Sequence, residues 1–161
     1  VDVACYLFDA RPVEVFATGR KDVLASRGID CYDSMHIHLR MPEGFATLET
    51  SWILPATFPM ICDFAFSLQT TETRCDMDVS RQGLAVMSPD RYSHPLLLGS
   101  TPVGDDEFGF FRFSIRDFVR AVRAGDPSPA PLSEGVANVD VIAAAVASAE
   151  THRPVEPGRP D

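Results

Sequence analysis

Apolar residues recur along this chain in two rhythms, and the places where the rhythm changes mark its elements. Val1, Ala4, Cys5 and Phe8 fall at helical spacing, which predicts a helix over residues 1–9. Arg11-Pro12 breaks that pattern, and Val13, Val15 and Ala17 then alternate with Glu14, Phe16 and Thr18 as a first strand. After a polar connector over 19–29, residues 32–41 place Tyr32, Ser34, His36, His38 and Arg40 on one face and Asp33, Met35, Ile37, Leu39 and Met41 on the other. Pro42-Glu43-Gly44 supplies turn chemistry, and from Phe45 to Leu54 the residues Ala46, Leu48, Thr50, Trp52 and Leu54 share a side, so 32–54 reads as a hairpin.

Pro55 to Pro59 ends that hairpin. Phe64–Thr70 and Arg74–Val79 predict two further strands around Thr71-Glu72-Thr73, and Leu84–Met87 a short fifth. From Ser88 to Asp106 the abundance of Pro, Gly and Ser predicts an extended loop. Helical spacing then returns: Phe111, Ile115, Phe118, Val119 and Val122 form one stripe of a helix over about 108–124, stopped by Gly125. Ser133 is a candidate N-cap for an Ala-rich helix over about 134–151, with Val139, Ile142, Ala143 and Val146 on its stripe. The tail from His152, rich in proline, is expected to fray or run extended.

Strands over about 12–87 followed by two helices predict an α+β fold in one domain, 1–161: an open, mainly antiparallel sheet with helices on one face. Phe16, Phe45 and Ile53 fall opposite the other apolar sets, so the second face is expected to be covered as well, most simply by another subunit.

Composition narrows the function classes. A net charge of -9, with only 14 scattered Lys and Arg of which Lys21 is the single lysine, argues against a nucleic-acid or anionic-membrane surface. No apolar run approaches the ~20 residues of a membrane span, and no basic-then-apolar signal opens the chain, so a cytoplasmic location is expected. Cys5, Cys31, Cys62 and Cys75 sit at irregular spacings without CxxC pairs, and buried free thiols are the expectation. The chain opens on Val1 with no capping residue, as if inside a helix, which suggests a cut from something longer.

Candidate chemistry is sparse. His36 and His38 make an H-x-H on one strand face, but Arg40 shares that face and no Asp, Glu or Cys of matching parity joins them, so a metal is not expected. Trp52 offers a wall or an indole N–H to a sugar, or else fills the core. Tyr92 and His94 in the loop, and Arg112 at the start of the penultimate helix, are candidate substrate contacts. No G-x-S-x-G elbow and no G-x-G-x-x-G occurs in the chain.

Several segments, in order, resemble the C-terminal domain of the glucose-fructose oxidoreductase, inositol dehydrogenase and rhizopine catabolism (Gfo/Idh/MocA) family. They are Val1 to Phe8 followed by Arg11-Pro12-Val13 to Ala17; Tyr32-Asp33 with Gly44-Phe45-Ala46 to Trp52 and Leu54-Pro55; and Phe118 to Gly125 followed by Pro131 to Val155. The resemblance covers nearly the whole chain and rests on order and spacing. It implies the substrate-side and subunit-pairing half of an NAD- or NADP-dependent oxidoreductase acting on a sugar, polyol or cyclitol, inactive alone, whose Rossmann domain lies upstream. It further implies that Asp2 orients a catalytic histidine just upstream of Val1, leaving no catalytic residue in this chain itself. Substrate contacts are then expected from Trp52, Tyr92, His94 and Arg112, with homo-oligomerisation, as a dimer, through the open sheet face. A non-catalytic regulatory or oligomerisation module on the same fold is the alternative.

Overall fold

The computed structural model describes residues 1–60, 63–95 and 97–158; Cys62 lies outside them. The chain forms two compact units, one from Val1–Leu54 with the segment from Ala130 onward, the other from Pro55–Pro129.

In the first unit, β1 (Glu14–Arg20), β2 (Ser34–Met41) and β3 (Gly44–Ser51) form an antiparallel sheet in chain order. The alternation places Val15 and Ala17 of β1 and Ile37, Leu39 and Met41 of β2 on the buried face. Two-residue Pro42-Glu43 closes the β2–β3 hairpin, and Gly44 there adopts φ 138°, where a side chain would be strained. Onto the buried face packs α3 (Leu132–Thr151) through Val141, Ala144, Ala145 and Ala149. Small side chains let the helix axis approach the sheet closely. The N-terminal helix α1 (Asp2–Phe8) adds Val1, Ala4 and Phe8 to the edge of this core, as their spacing predicted.

Ser148 on α3 is fully buried, yet its hydroxyl accepts from Ala17 N (3.0 Å) and donates to Arg153 O (2.6 Å). Beside it the tail turns at His152 (φ 57°) and returns along β1, where Val15 and Val155 exchange both backbone hydrogen bonds (2.8 and 2.9 Å). The tail is therefore ordered at this point rather than frayed, because β1 is an edge strand whose outward N–H and C=O groups need partners.

Helix α3 begins at Leu132 with Pro131 as its N-cap, so Ser133 is inside the first turn instead of capping it. Pro131 is extended (ψ 148°) and its carbonyl takes the first helical bond from Glu134 N (3.1 Å). By length and composition alone this 20-residue helix could cross a bilayer, contrary to the reading of the bare apolar runs. Its packing against the sheet gives the reason for that composition: one face is core, and Val139 and Ile142 add an apolar outer stripe.

The second unit holds β4 (Ala65–Gln69) paired with β5 (Arg74–Asp78), β6 (Val86–Met87) with β7 (Tyr92–Ser93), β8 (Thr101–Val103) with β9 (Asp106–Phe108), and the helix α2 (Phe110–Ala124). Among the described residues, then, the expected continuous sheet is one three-stranded sheet and three separate hairpins. The expected loop over 88–106 also contains strands. Its turns carry the information that its apolar pattern lacks: Ser88 Oγ bonds Asp90 Oδ1 (2.7 Å) in one, and Gly104 takes φ 64° in the other. Gly125 caps α2 in the left-handed conformation as expected.

Candidate functional site

The candidate residues divide between the two units. In the first, Asp2 opens α1 and its Oδ1 accepts from Asn138 Nδ2 of α3 (2.8 Å), which ties the two helices together. Trp52 follows β3; its backbone N bonds Asp33 O (2.9 Å), while the residue is 75% exposed. Trp52 therefore does not fill the core of this unit.

On the outer face of the sheet, cross-strand register sets His36 beside Glu49 (3.6 Å), stacks His38 on Phe45 (5.6 Å between ring centres) and pairs Arg40 Nε with Glu14 Oε1 (3.2 Å). Each of these polar groups already has a protein neighbour. Among the described residues no group of three or more His, Cys, Asp or Glu side chains could hold a metal ion. Phe16 and Phe45 lie exposed on the same face.

Cys5 and Cys31 are half-buried, and burial pushes the Cys5 thiol up, away from the reactive thiolate. Cys75 on β5 is exposed, unlike the buried thiol expected there, as is every residue of that strand.

In the second unit Tyr92 and His94 meet directly. Tyr92 Oη lies 2.9 Å from His94 Nε2, the rings pack edge to face at 5.1 Å, and His94 Nδ1 lies 3.1 Å from Leu84 O. The backbone N of His94 also bonds Pro59 O (2.9 Å), so the imidazole is held from both its ring and its main chain.

Arg112, in the first turn of α2, reaches back to β9: Nη1 donates to Asp106 Oδ1 and to Glu107 O (2.8 Å). The guanidinium holds the Asp106 carboxyl below the usual carboxylate range. Arg112 lines a pocket of about 340 Å³ together with Ser100, Glu107, Phe108, Phe111 and Arg116. That volume is within the range of small-molecule sites. Its wall is mostly apolar, and it carries both donors (Arg112, Arg116) and an acceptor, the Glu107 carboxylate, which already takes the Ser100 hydroxyl.

Sequence reasoning found Arg112 but not Ser100, Glu107 or Phe108. The available signal was the acidic pair Asp106-Glu107 five and six residues before an arginine, which a hairpin and a helix start can fold together.

No family model matches the chain, and none of the curated proteins matches it. Solved structures do. The chain is similar to GenD2 from gentamicin A biosynthesis in complex with NAD, at 19% identity and a TM-score of 0.74 over 98% of this chain and 45% of that one. It is likewise similar to a myo-inositol dehydrogenase from Corynebacterium glutamicum (19%, TM-score 0.66, covering 99% and 47%). A third is an aldose-aldose oxidoreductase from Caulobacter crescentus complexed with glycerol (17%, TM-score 0.69, covering 96% and 44%). This chain therefore spans about half the length of the structures it matches, and it has the open α+β fold of their C-terminal domains.

Proposed function

We propose that this chain is the substrate-side, C-terminal half of an NAD- or NADP-dependent oxidoreductase of the Gfo/Idh/MocA type, acting on a hydroxyl or carbonyl of a sugar, polyol or cyclitol. The observation that carries this reading is a fold match over nearly the whole chain to about half of each of several solved proteins, among them a myo-inositol dehydrogenase and GenD2 in complex with NAD.

The residues present do not fit the dinucleotide itself. Glycines with positive φ stand singly at 28, 44, 83, 104, 109 and 125, and no two share the short turn that a pyrophosphate needs at a helix N-terminus. In this reading the nucleotide-binding half and the catalytic histidine belong to an upstream segment, the enzyme is cytoplasmic, and this half alone has no turnover. A nicotinamide bound there would accept hydride from a hydroxyl-bearing carbon or deliver it to a carbonyl.

The contribution of this half is recognition. In the pocket, Arg112 and Arg116 offer donors and Glu107 an acceptor to neighbouring hydroxyls, while Phe108 and Phe111 offer ring faces to the C–H side of a sugar-like ring. Trp52, Tyr92 and His94 are proposed as further substrate contacts. The exposed sheet face with Phe16 and Phe45 is proposed to pair with a second copy, an isologous contact that would bury both rings.

The test is NAD⁺ or NADP⁺ reduction by the full-length protein, followed at 340 nm with a panel of cyclitols, alditols and aldoses. With the best substrate, Arg112→Lys is expected to lower kcat/KM about tenfold, since lysine keeps the charge but loses the planar fork. The thermal midpoint should hold to within a few degrees. A kcat/KM equal to that of the unchanged protein would remove Arg112 and its pocket from the substrate site.

A further inference from the structure

We propose that Tyr92 and His94 form a proton-exchange pair: Tyr92 Oη takes a proton from, or returns one to, a hydroxyl- or carbonyl-bearing ligand, while His94 Nε2 takes or returns the phenolic proton. The ligand's class rests on the function proposed above; the pair itself does not.

The argument begins with the tautomer. A backbone carbonyl can only accept, so the 3.1 Å contact between His94 Nδ1 and Leu84 O places the ring proton on Nδ1. Neutral His94 then has a lone pair on Nε2, and the group 2.9 Å from it is the Tyr92 hydroxyl, which must be the donor. With its proton committed to the imidazole, Tyr92 turns its oxygen lone pairs outward.

Geometry keeps the pair in this state. Tyr92 is opposite Met87 in the β6–β7 ladder, the turn between them is closed by Ser88 N to Arg91 O (2.8 Å), and the His94 main chain is fixed to Pro59 O. Tyr92 is nonetheless 49% exposed, so the pair is not sealed in a core. A base oriented by a carbonyl and bonded to a hydroxyl is the arrangement by which an imidazole activates an oxygen nucleophile. Tyr92 is the group that touches the ligand, and His94 is a positioning residue acting through it.

A sulfonyl fluoride reports this activation without any need to know the ligand. With phenylmethanesulfonyl fluoride the Tyr92 O–S bond forms, the S–F bond breaks, fluoride leaves and the phenolic proton passes to His94 Nε2. Tyr6, 83% exposed in this chain against 49% for Tyr92, serves as the internal standard. Peptide mass mapping over time should show Tyr92 modified at least about tenfold faster than Tyr6, a modest share of what a positioned base contributes. His94→Asn should remove the excess and leave the Tyr6 rate unchanged, which also reports that the fold persists. Should that variant fail to fold, ¹⁵N NMR of the unchanged protein decides: a proton on His94 Nδ1 and a bare Nε2 support the pair. Tyr92 reacting no faster than Tyr6, an undiminished rate in His94→Asn, or the proton on Nε2 would each overturn it.

Discussion

Leu39→Ala is expected to lower folding stability by about 2–5 kcal/mol, the usual range for truncating a fully buried leucine. Leu39 sits on the central strand β2, directly between Val15 of β1 and Ala46 of β3, and is 0% exposed beneath α3. Truncation would leave a void bounded on three sides by regular structure. Its cross-strand neighbours Val15 and Ala46 and the alanines of α3 are short, which limits how far the site can collapse. Since whole domains are stable by only about 5–15 kcal/mol, the urea midpoint should fall visibly. Val139→Ala, on the exposed stripe of the same helix, should shift it by no more than about 0.5 kcal/mol. Equal midpoints for the two variants would mean that the sheet face against α3 is not the core.

The second large effect is expected at Asp33. This carboxylate is wholly buried at the start of β2 and accepts three backbone bonds of 2.8 Å, from Asp22 N and Val23 N at Oδ2 and from Leu24 N at Oδ1. It thereby closes the connector over 22–28 onto the sheet. Burial pushes its carboxyl up, and the three N–H donors, helped by the charge of Arg20, outweigh burial and hold it below the ordinary range. Asp33→Ala strands all three donors, and the thermal midpoint should drop by on the order of 10 °C.

The sign of the pH dependence follows from the same contacts. A carboxyl depressed in the folded state contributes its full stabilisation above the unfolded value of about 3.9 and loses it as pH falls through the folded value. Denaturation midpoints of the unchanged protein should therefore decline on acidification below about pH 4, and Asp33→Ala should show a shallower decline over the same range. Parallel acid limbs for the two proteins would assign the acid sensitivity to other carboxylates.

Period-two alternation located β1, β2 and β3 because one face of that sheet is buried and the other is not, so each residue's parity is enforced by packing. Helical spacing located α1, α2 and α3, but not the packing of the last two: the α2 stripe is exposed in this chain, and the stripe read for α3 at Val139, Ile142 and Ala143 faces outward, its buried face being Ala137, Val141, Ala144, Ala145 and Ala149. What was illegible is held by hydrogen bonds to neighbours distant in sequence. Ser148 looked like an ordinary helix residue but bonds a strand and a tail. Asp33 was one polar position in an alternating run, and its three partners lie about ten residues upstream. β6 falls within the short strand expected at Leu84–Met87, whereas β7 to β9 have too few residues for any rhythm to register.

At the candidate site, Tyr92 and His94 were legible as polar residues in a loop, but their pairing depends on a two-residue strand that aligns them. The pocket around Arg112 depends on β9 and α2 meeting at Gly109, whose φ of 139° permits the sharp turn. A Cβ there would come within 2.2 Å of Gly99 O. That close approach is a fact of three dimensions with no pattern in the sequence to announce it.

The central claim, that this chain is one half of a two-domain dehydrogenase, is tested most directly by the intact subunit mass of the protein isolated from its source. Structures sharing this fold are about twice as long as the chain, which covers 45–47% of them. A subunit of roughly twice 17.6 kDa, the added mass being a nucleotide-binding domain, is the predicted result. A subunit of 17.6 kDa would contradict the enzyme reading and leave a binding or assembly module on a dehydrogenase fold.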